Sequence, residues 1–134
     1  MCGTESEVLL ITLPIPPAEC SPNVRSHWAK KCRVTKKARE DAFLAAVSAR
    51  HASSLSFPFP GAVVRITWLS RDRRGLRADN DNRIASLKAY FDGITDAGVW
   101  RDDRGVEFRI ASMDVDQKNP RVILAVQRTA HRPR

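Results

Sequence analysis

DNDNRIASLKAYFDGITDAGVWRDD, residues 79–103, is the stretch on which the fold turns. It opens on Asp79 and Asp81 with Asn80 between them, and it closes on the adjacent pair Asp102 and Asp103. Between these acids the spacing predicts one amphipathic helix from about Asp81 to Ala97, ended by Gly98. At ~100° per residue, Ile84, Leu87, Phe91 and Ile94 share one face, the expected core stripe, while Asp81, Lys88 and Asp92 form a narrow charged stripe beside it. Strand-like segments lie on both sides. Ala62–Ser70 (AVVRITWLS) is rich in strand formers, and Val106–Val115 (VEFRIASMDV) sets Val106, Phe108 and Ile110 inward against Glu107 and Arg109 outward.

Working outward, Val8–Leu13 (VLLITL) reads as the first strand, stopped by Pro14, Pro16 and Pro17, which cannot donate to a ladder. Residues 18–35 read as a long basic connection with a turn at Ser21-Pro22-Asn23. Thr35 is the expected cap of a helix over 36–52, where Ala38, Ala42, Ala45, Ala46 and Ala49 recur at helical spacing and Phe43 and Val47 widen the stripe. Lys36 and Lys37 would then sit in the first turn, where the helix dipole disfavours cations. Ser53–Gly61 is a proline-rich link, and Arg121–Arg128 (RVILAVQR) is the last strand. A turn at Lys118-Asn119-Pro120 predicts that the last two strands form a hairpin with a longer loop. Residues 1–7 and 129–134 are expected to be frayed tails. The order β-α-β-α-β-β gives an α+β class, one domain over 1–134 with a small mixed sheet of about four strands and two helices packed on it.

Composition narrows the partner. The chain of 134 residues carries a net charge of +8, which points to a polyanion: nucleic acid or an anionic membrane surface. The predicted helices carry no large bulky-apolar face, which disfavours the membrane. No apolar run approaches the ~20 residues of a spanning helix, and no secretion signal is visible at the N-terminus. Cys2, Cys20 and Cys32 are odd in number and lack a CxxC pair, which favours free thiols in a reducing, cytoplasmic compartment over a disulfide framework. A zinc site from Cys20, His27 and Cys32 matches no common spacing and lacks a fourth ligand. No small-molecule cofactor is expected.

The acids need a reason in so basic a chain. A helix-capping role explains one of the two well and both less well, since two carboxylates at one helix start repel unless a cation lies between them. If the strand after the helix lies beside the strand before it, Asp102-Asp103 can return toward Asp79 and Asp81. Oxygen-only ligands suit Mg²⁺ or Mn²⁺, and such an ion acts on phosphodiesters. Arg71, Arg73, Arg74 and Arg77 stand just upstream, placed to hold a phosphate backbone. Asn23, Arg25, Lys30 and Lys31, interleaved with Trp28, suit phosphates and an unstacked base. The alternative for Trp28 is a place on the core.

RRGLRADNDN (73–82), Lys88 and FDGITDAGVWRDD (91–103), together with the proline-rich LPIPPAECSPNVRSHW (13–28), resemble the RusA family of crossover-junction endodeoxyribonucleases. The resemblance covers the chain from about Leu10 to Val126, and the combination in one order is far more specific than any single piece. It implies a small dimeric Mg²⁺-dependent enzyme, of a kind found mostly in phages and prophages, that resolves four-way (Holliday) DNA junctions by paired nicks. It implies Asp79, Asp81 and Asp103 as metal ligands and Lys88 as a cation at the phosphate. Lys88 departs from the compact form of the motif by one helical turn, about 5 Å, with Arg83 as the alternative cation. The aromatic residues that some members place at the junction centre have no counterpart in SRDRRGL (70–76). The competing reading is a non-catalytic branched-DNA-binding relative. A metal-free ribonuclease is disfavoured, because His27, His51 and His131 have no paired acid.

Overall fold

The computed structural model describes residues 7–22, 25, 27–77 and 79–130. Its elements are β1 (Val8–Leu13), α1 (Trp28–Ala52), β2 (Gly61–Ser70), α2 (Asn80–Ser86), α3 (Lys88–Asp96), β3 (Val106–Val115) and β4 (Arg121–Thr129). They form the expected α+β arrangement, one mixed sheet in the order β1-β4-β2-β3 with the helices supplying the other layer.

Alternation builds the core. Leu9, Ile11 and Leu13 on β1, Ala62, Val64, Ile66 and Trp68 on β2, and Val122, Leu124 and Val126 on β4 are all buried at every second position, so they share one face of the sheet. α1 contributes Ala38, Ala42 and Ala46, and α3 contributes Ala89, Tyr90, Phe91 and Ile94. The expected core stripe of the central segment therefore faces the core, with Ile84 partly buried and Leu87, Phe91 and Ile94 fully so. Small residues let α1 and α3 approach closely: a Cβ on Gly93 would lie 2.2 Å from the Arg39 carbonyl oxygen. Arg39 and Asp96 clamp the same contact with paired hydrogen bonds of 2.6 and 2.8 Å. Tyr90 donates to the Pro14 carbonyl at 2.9 Å, tying α3 to the proline-rich segment, and burial pushes its phenol up to about 12.

Several expectations change. The segment over 81–97 is two helices, divided at Leu87. The Ser86 hydroxyl donates to the Arg83 carbonyl at 2.7 Å, and Leu87 N–H turns back to the Ile84 carbonyl at 3.0 Å, which tightens and breaks the turn. Asp81 and Lys88 thus stand on different helices. α1 begins at Trp28, well before Thr35, with the His27 ring nitrogen accepting from Ala29 N–H at 3.3 Å. No glycine or proline interrupts residues 28–52, so nothing stops the helix from extending N-terminally. Lys36 and Lys37 consequently lie in mid-helix, where Lys37 pairs with Asp41 at 2.9 Å.

β3 and β4 do not form a hairpin. β2 lies between them, parallel to β3 and antiparallel to β4. β4 carries the more continuous apolar run and takes an interior position, which leaves β3, with Glu107, Arg109, Ser112 and Asp114, at the edge. Residues 116–120 pass over the end of β2, where Asp116 N–H donates to the Ser70 carbonyl at 2.8 Å and Arg121 reaches the Asp116 carboxylate at 2.8 Å. Part of the expected tails is ordered: β4 runs to Thr129, and Arg128 N–H donates to the Glu7 carbonyl at 3.0 Å. Residues 1–6 and 131–134 of the tails lie outside the described residues, as does Asn23, and with them Cys2 and His131. No helix among the described residues is long and apolar enough to cross a membrane.

Candidate nucleic-acid interface and carboxylate sites

The cationic loop is built where the chain leaves β2. Arg73–Leu76 forms a 3-10 turn, and the Asp72 side chain accepts from Gly75 N–H at 3.1 Å. The turn is pressed onto the sheet so tightly that a Cβ on Gly75 would fall 2.0 Å from the Ser70 hydroxyl oxygen. Arg71, Arg73, Arg74 and Arg77 are all exposed, and among the described residues none of them has a carboxylate partner within salt-bridge distance. Four uncompensated guanidinium groups on one loop are a phosphate-binding surface in chemical terms.

α2 follows at once. Asp79 is its cap: one carboxylate oxygen accepts from Asn82 N–H at 2.8 Å and the other from the Asn82 side-chain amide at 3.2 Å. The capping role offered for one of the two acids thus falls to Asp79. Asp81 is exposed in the first turn.

The late pair goes elsewhere. β3 lies beside β2, as a return of Asp102-Asp103 required, but the two strands run parallel, with Ala62 opposite Val106 and Ser70 opposite Val115. Asp79 and Asp81 follow the C-terminal end of β2, whereas Asp103 precedes β3 at the N-terminal end of the same pair. β2 is ten residues long, so these ends are roughly 30 Å apart at ~3.3 Å per residue. Within one chain the expected trio is split. Among the described residues no group of three or more His, Cys, Asp or Glu side chains stands close enough to hold a metal ion, which also leaves Cys20, His27 and Cys32 ungathered. Asp102 caps the turn Asp103–Gly105 and is gripped by Arg104 at 2.8 and 2.9 Å; the Arg104 guanidinium holds its carboxyl down to about 2. Asp103 is exposed.

The remaining candidates divide similarly. Lys88 starts α3 and lies 3.3 Å from Asp92, an exposed pair of the kind worth at most ~1 kcal/mol. Trp28 is 78% exposed at the first position of α1, so it is not part of the core. Lys30 pairs with Glu19 at 3.2 Å, Lys31 is half-buried and Arg25 is exposed. With α1 starting at Trp28, Arg33 and Lys36 join this exposed basic surface. Lys30, Arg33 and Lys37 recur at helical spacing, the signal for that face once the helix starts at Trp28.

Arg83 has a different place from a phosphate-binding cation. It is 2% exposed, donates to the Gly75 carbonyl at 3.0 Å and the Leu76 carbonyl at 3.1 Å, and lies 4.9 Å over the Trp68 ring. Burial lowers its pKa, partly opposed by the nearby Asp79 charge.

No family model matches the chain. A protein of Xylella fastidiosa (strain Temecula1 / ATCC 700964), described as an uncharacterized protein, is 42% identical to it over 98 residues, which is 70% of this chain. The chain spans only 60% of that relative's length.

Proposed function

We propose that the protein is a Mg²⁺-dependent, structure-selective endodeoxyribonuclease that resolves four-way DNA junctions by paired nicks and works as a twofold dimer. The observation that carries this reading is the union of an uncompensated arginine loop with the acidic start of α2. Asp81 is exposed in the first turn of the helix that follows Arg71, Arg73, Arg74 and Arg77 in the chain, and a carboxylate there repels the polyanion the arginines attract, a cost that a bound cation would remove. The arginines hold the phosphate backbone, and Asp79 fixes the helix that presents Asp81 to it.

The carboxylates of a single chain do not fit a Mg²⁺ ion, since Asp103 stands at the far end of the sheet. A second copy removes the difficulty. Among the described residues β3 is paired on one side only, and its bulge at Ala111 puts Phe108, Ile110, Met113 and Val115 on one face and Arg109, Ser112 and Asp114 on the other. Two β3 strands set antiparallel about a twofold between Ala111 and Ser112 would match Phe108 with Val115, Ile110 with Met113, and Arg109 with Asp114, each pair on a common face. That dimer turns Asp103 of the partner subunit toward the end of the sheet that bears Asp79 and Asp81. An ion held there would supply Lewis-acid activation of water and phosphate.

The test is a gel assay on a synthetic four-way junction and on linear duplex, with and without Mg²⁺. Paired, Mg²⁺-dependent cutting of the junction alone is expected, abolished in Asp81→Asn with junction binding retained. Mixing Asp81→Asn with Asp103→Asn separates the arrangements: a site shared between subunits leaves one intact site in each mixed dimer, so nicking returns without paired cutting. Junction binding with no divalent-ion-dependent cutting would instead establish the non-catalytic branched-DNA binder, the reading favoured by the split trio of one chain.

A further inference from the structure

We propose that Arg83 is a positioning residue that locks the arginine loop to the acidic start of α2, so that phosphate held by the loop and the carboxylate of Asp81 keep a fixed relation; this rests on the nuclease reading above. The guanidinium sits where three parts of the fold meet. Its two terminal nitrogens donate to the Gly75 and Leu76 carbonyls, which belong to the cationic turn. Its central carbon lies 4.9 Å from the centroid of the Trp68 ring of β2, and its own backbone belongs to α2. At 2% exposure the side chain is turned into the fold, its donors spent on the turn rather than offered to a phosphate.

The chemistry demands an arginine. A guanidinium presents several fixed N–H groups in a plane, so it satisfies two carbonyls and stacks on a ring at the same time; an ammonium offers a point charge and neither fork nor face. The carbonyls it serves sit in a turn already pinned by the close approach of Gly75 to Ser70. Arg71, Arg73, Arg74 and Arg77 project from or beside that turn, so its position is theirs. Asp79 caps the same helix about one turn earlier, and Asp81 lies in its first turn, two residues before Arg83. A pocket of about 190 Å³ lined by Pro16, Pro17, Trp68, Arg83 and Ser86, among others, opens onto the guanidinium. Removal of the side chain would therefore leave a space that a small guanidinium ion can enter.

Three variants of the full chain test this: Arg83→Lys, Arg83→Ala, and Arg83→Ala with methylguanidinium added. Cooperative urea unfolding establishes that each is folded. Amide exchange over residues 72–82 should quicken by at least about tenfold in both variants, with exchange in β2 and β4 unchanged. Cleavage at saturating junction should fall about a hundredfold, the loss that small misplacements of reacting groups bring. Junction affinity and its salt dependence should hold, and methylguanidinium should restore both exchange protection and cleavage to Arg83→Ala. Wild-type exchange and cleavage in Arg83→Lys would overturn the proposal. So would a fall in affinity with a salt slope reduced by about one, which would make Arg83 a phosphate contact. Should the wild type not cut at all, the nuclease reading fails, and the exchange pattern alone decides whether Arg83 locks the loop.

Discussion

Replacement of Gly93 by alanine should destabilise the protein although alanine is the better helix former. Gly93 faces α1 at a close point of the α1–α3 contact. A Cβ there would lie 2.2 Å from the Arg39 carbonyl oxygen and 2.9 Å from both Ala42 Cβ and Phe43 N. Two of these three neighbours are backbone atoms, so no side-chain rotation relieves the overlap. Restoring ordinary contact requires the helices to part by about 1 Å, and interiors packed at crystal-like density resist such shifts. That movement also stretches the Arg39–Asp96 hydrogen bonds of 2.6 and 2.8 Å and the 2.8 Å bond from Arg50 to the Ala97 carbonyl. Overpacking costs ~3 kcal/mol at the upper end of its usual range, and the helix propensity of alanine over glycine returns ~1 kcal/mol. The net loss is about 2 kcal/mol, a sizeable share of a typical domain stability of ~5–15 kcal/mol. For a chain of this size it lowers Tm by roughly 8 °C. Urea titration followed by circular dichroism, with a thermal melt, measures both. A Gly93→Ala protein as stable as the wild type would refute the close approach of α1 and α3.

Charge reversal tests the proposed β3 edge: Arg109→Asp and Asp114→Arg alone should each weaken the dimer in sedimentation, and the double reversal should restore it. Arg74→Ala should lower junction affinity across all sequences and reduce the slope of log affinity against log salt by about one. Asp102 gives a pH signature. Its folded pKa of about 2 lies below the unfolded value of ~3.9, so its contribution is present above pH ~4 and lost as pH falls through ~2. Asp102→Asn should therefore differ from the wild type only slightly at neutral pH, the pair being exposed, and should converge on it in acid denaturation.

Much of the sheet was legible because its signal is local. Alternation marked β2, and proline stops marked the end of β1 at Leu13. Apolar spacing found the buried face of the central segment because Leu87, Phe91 and Ile94 keep their stripe on both sides of the break. The break coincides with the Ser86 hydroxyl bonding back to the Arg83 carbonyl, a choice of acceptor that no pattern announces. Strand neighbours were misread for a related reason. A turn at 118–120 predicts reversal, which occurs, but not which strand receives the reversed chain; the competition of β3 and β4 for the interior decides that. At the candidate site, spacing places Asp79 and Asp81 together at one helix start, whereas the distance to Asp103 depends on strand direction. Parallel pairing follows from the helical crossover between β2 and β3, and it was this direction that carried Asp103 away. Several residues of the late motif have structural work: Gly93 admits α1, and the Trp100 indole N–H donates to the Thr95 hydroxyl at 2.6 Å while its ring meets Phe108 edge-on.

The order β1-β4-β2-β3 has a bearing on how the chain is made. Residues 121–129 are the latest of the described strands to leave the ribosome, yet they form the slat between the first strand and the rest. Until they emerge, Val8–Leu13 has no described strand to pair with, and the flank of β2 that β4 will cover stands open. A nascent chain stalled short of Arg121 would carry this gap through synthesis, a natural target for holding chaperones. Closure then joins segments more than a hundred residues apart in register, Val8 with Gln127 and Leu13 with Val122, a topology that favours slow, late consolidation of the sheet.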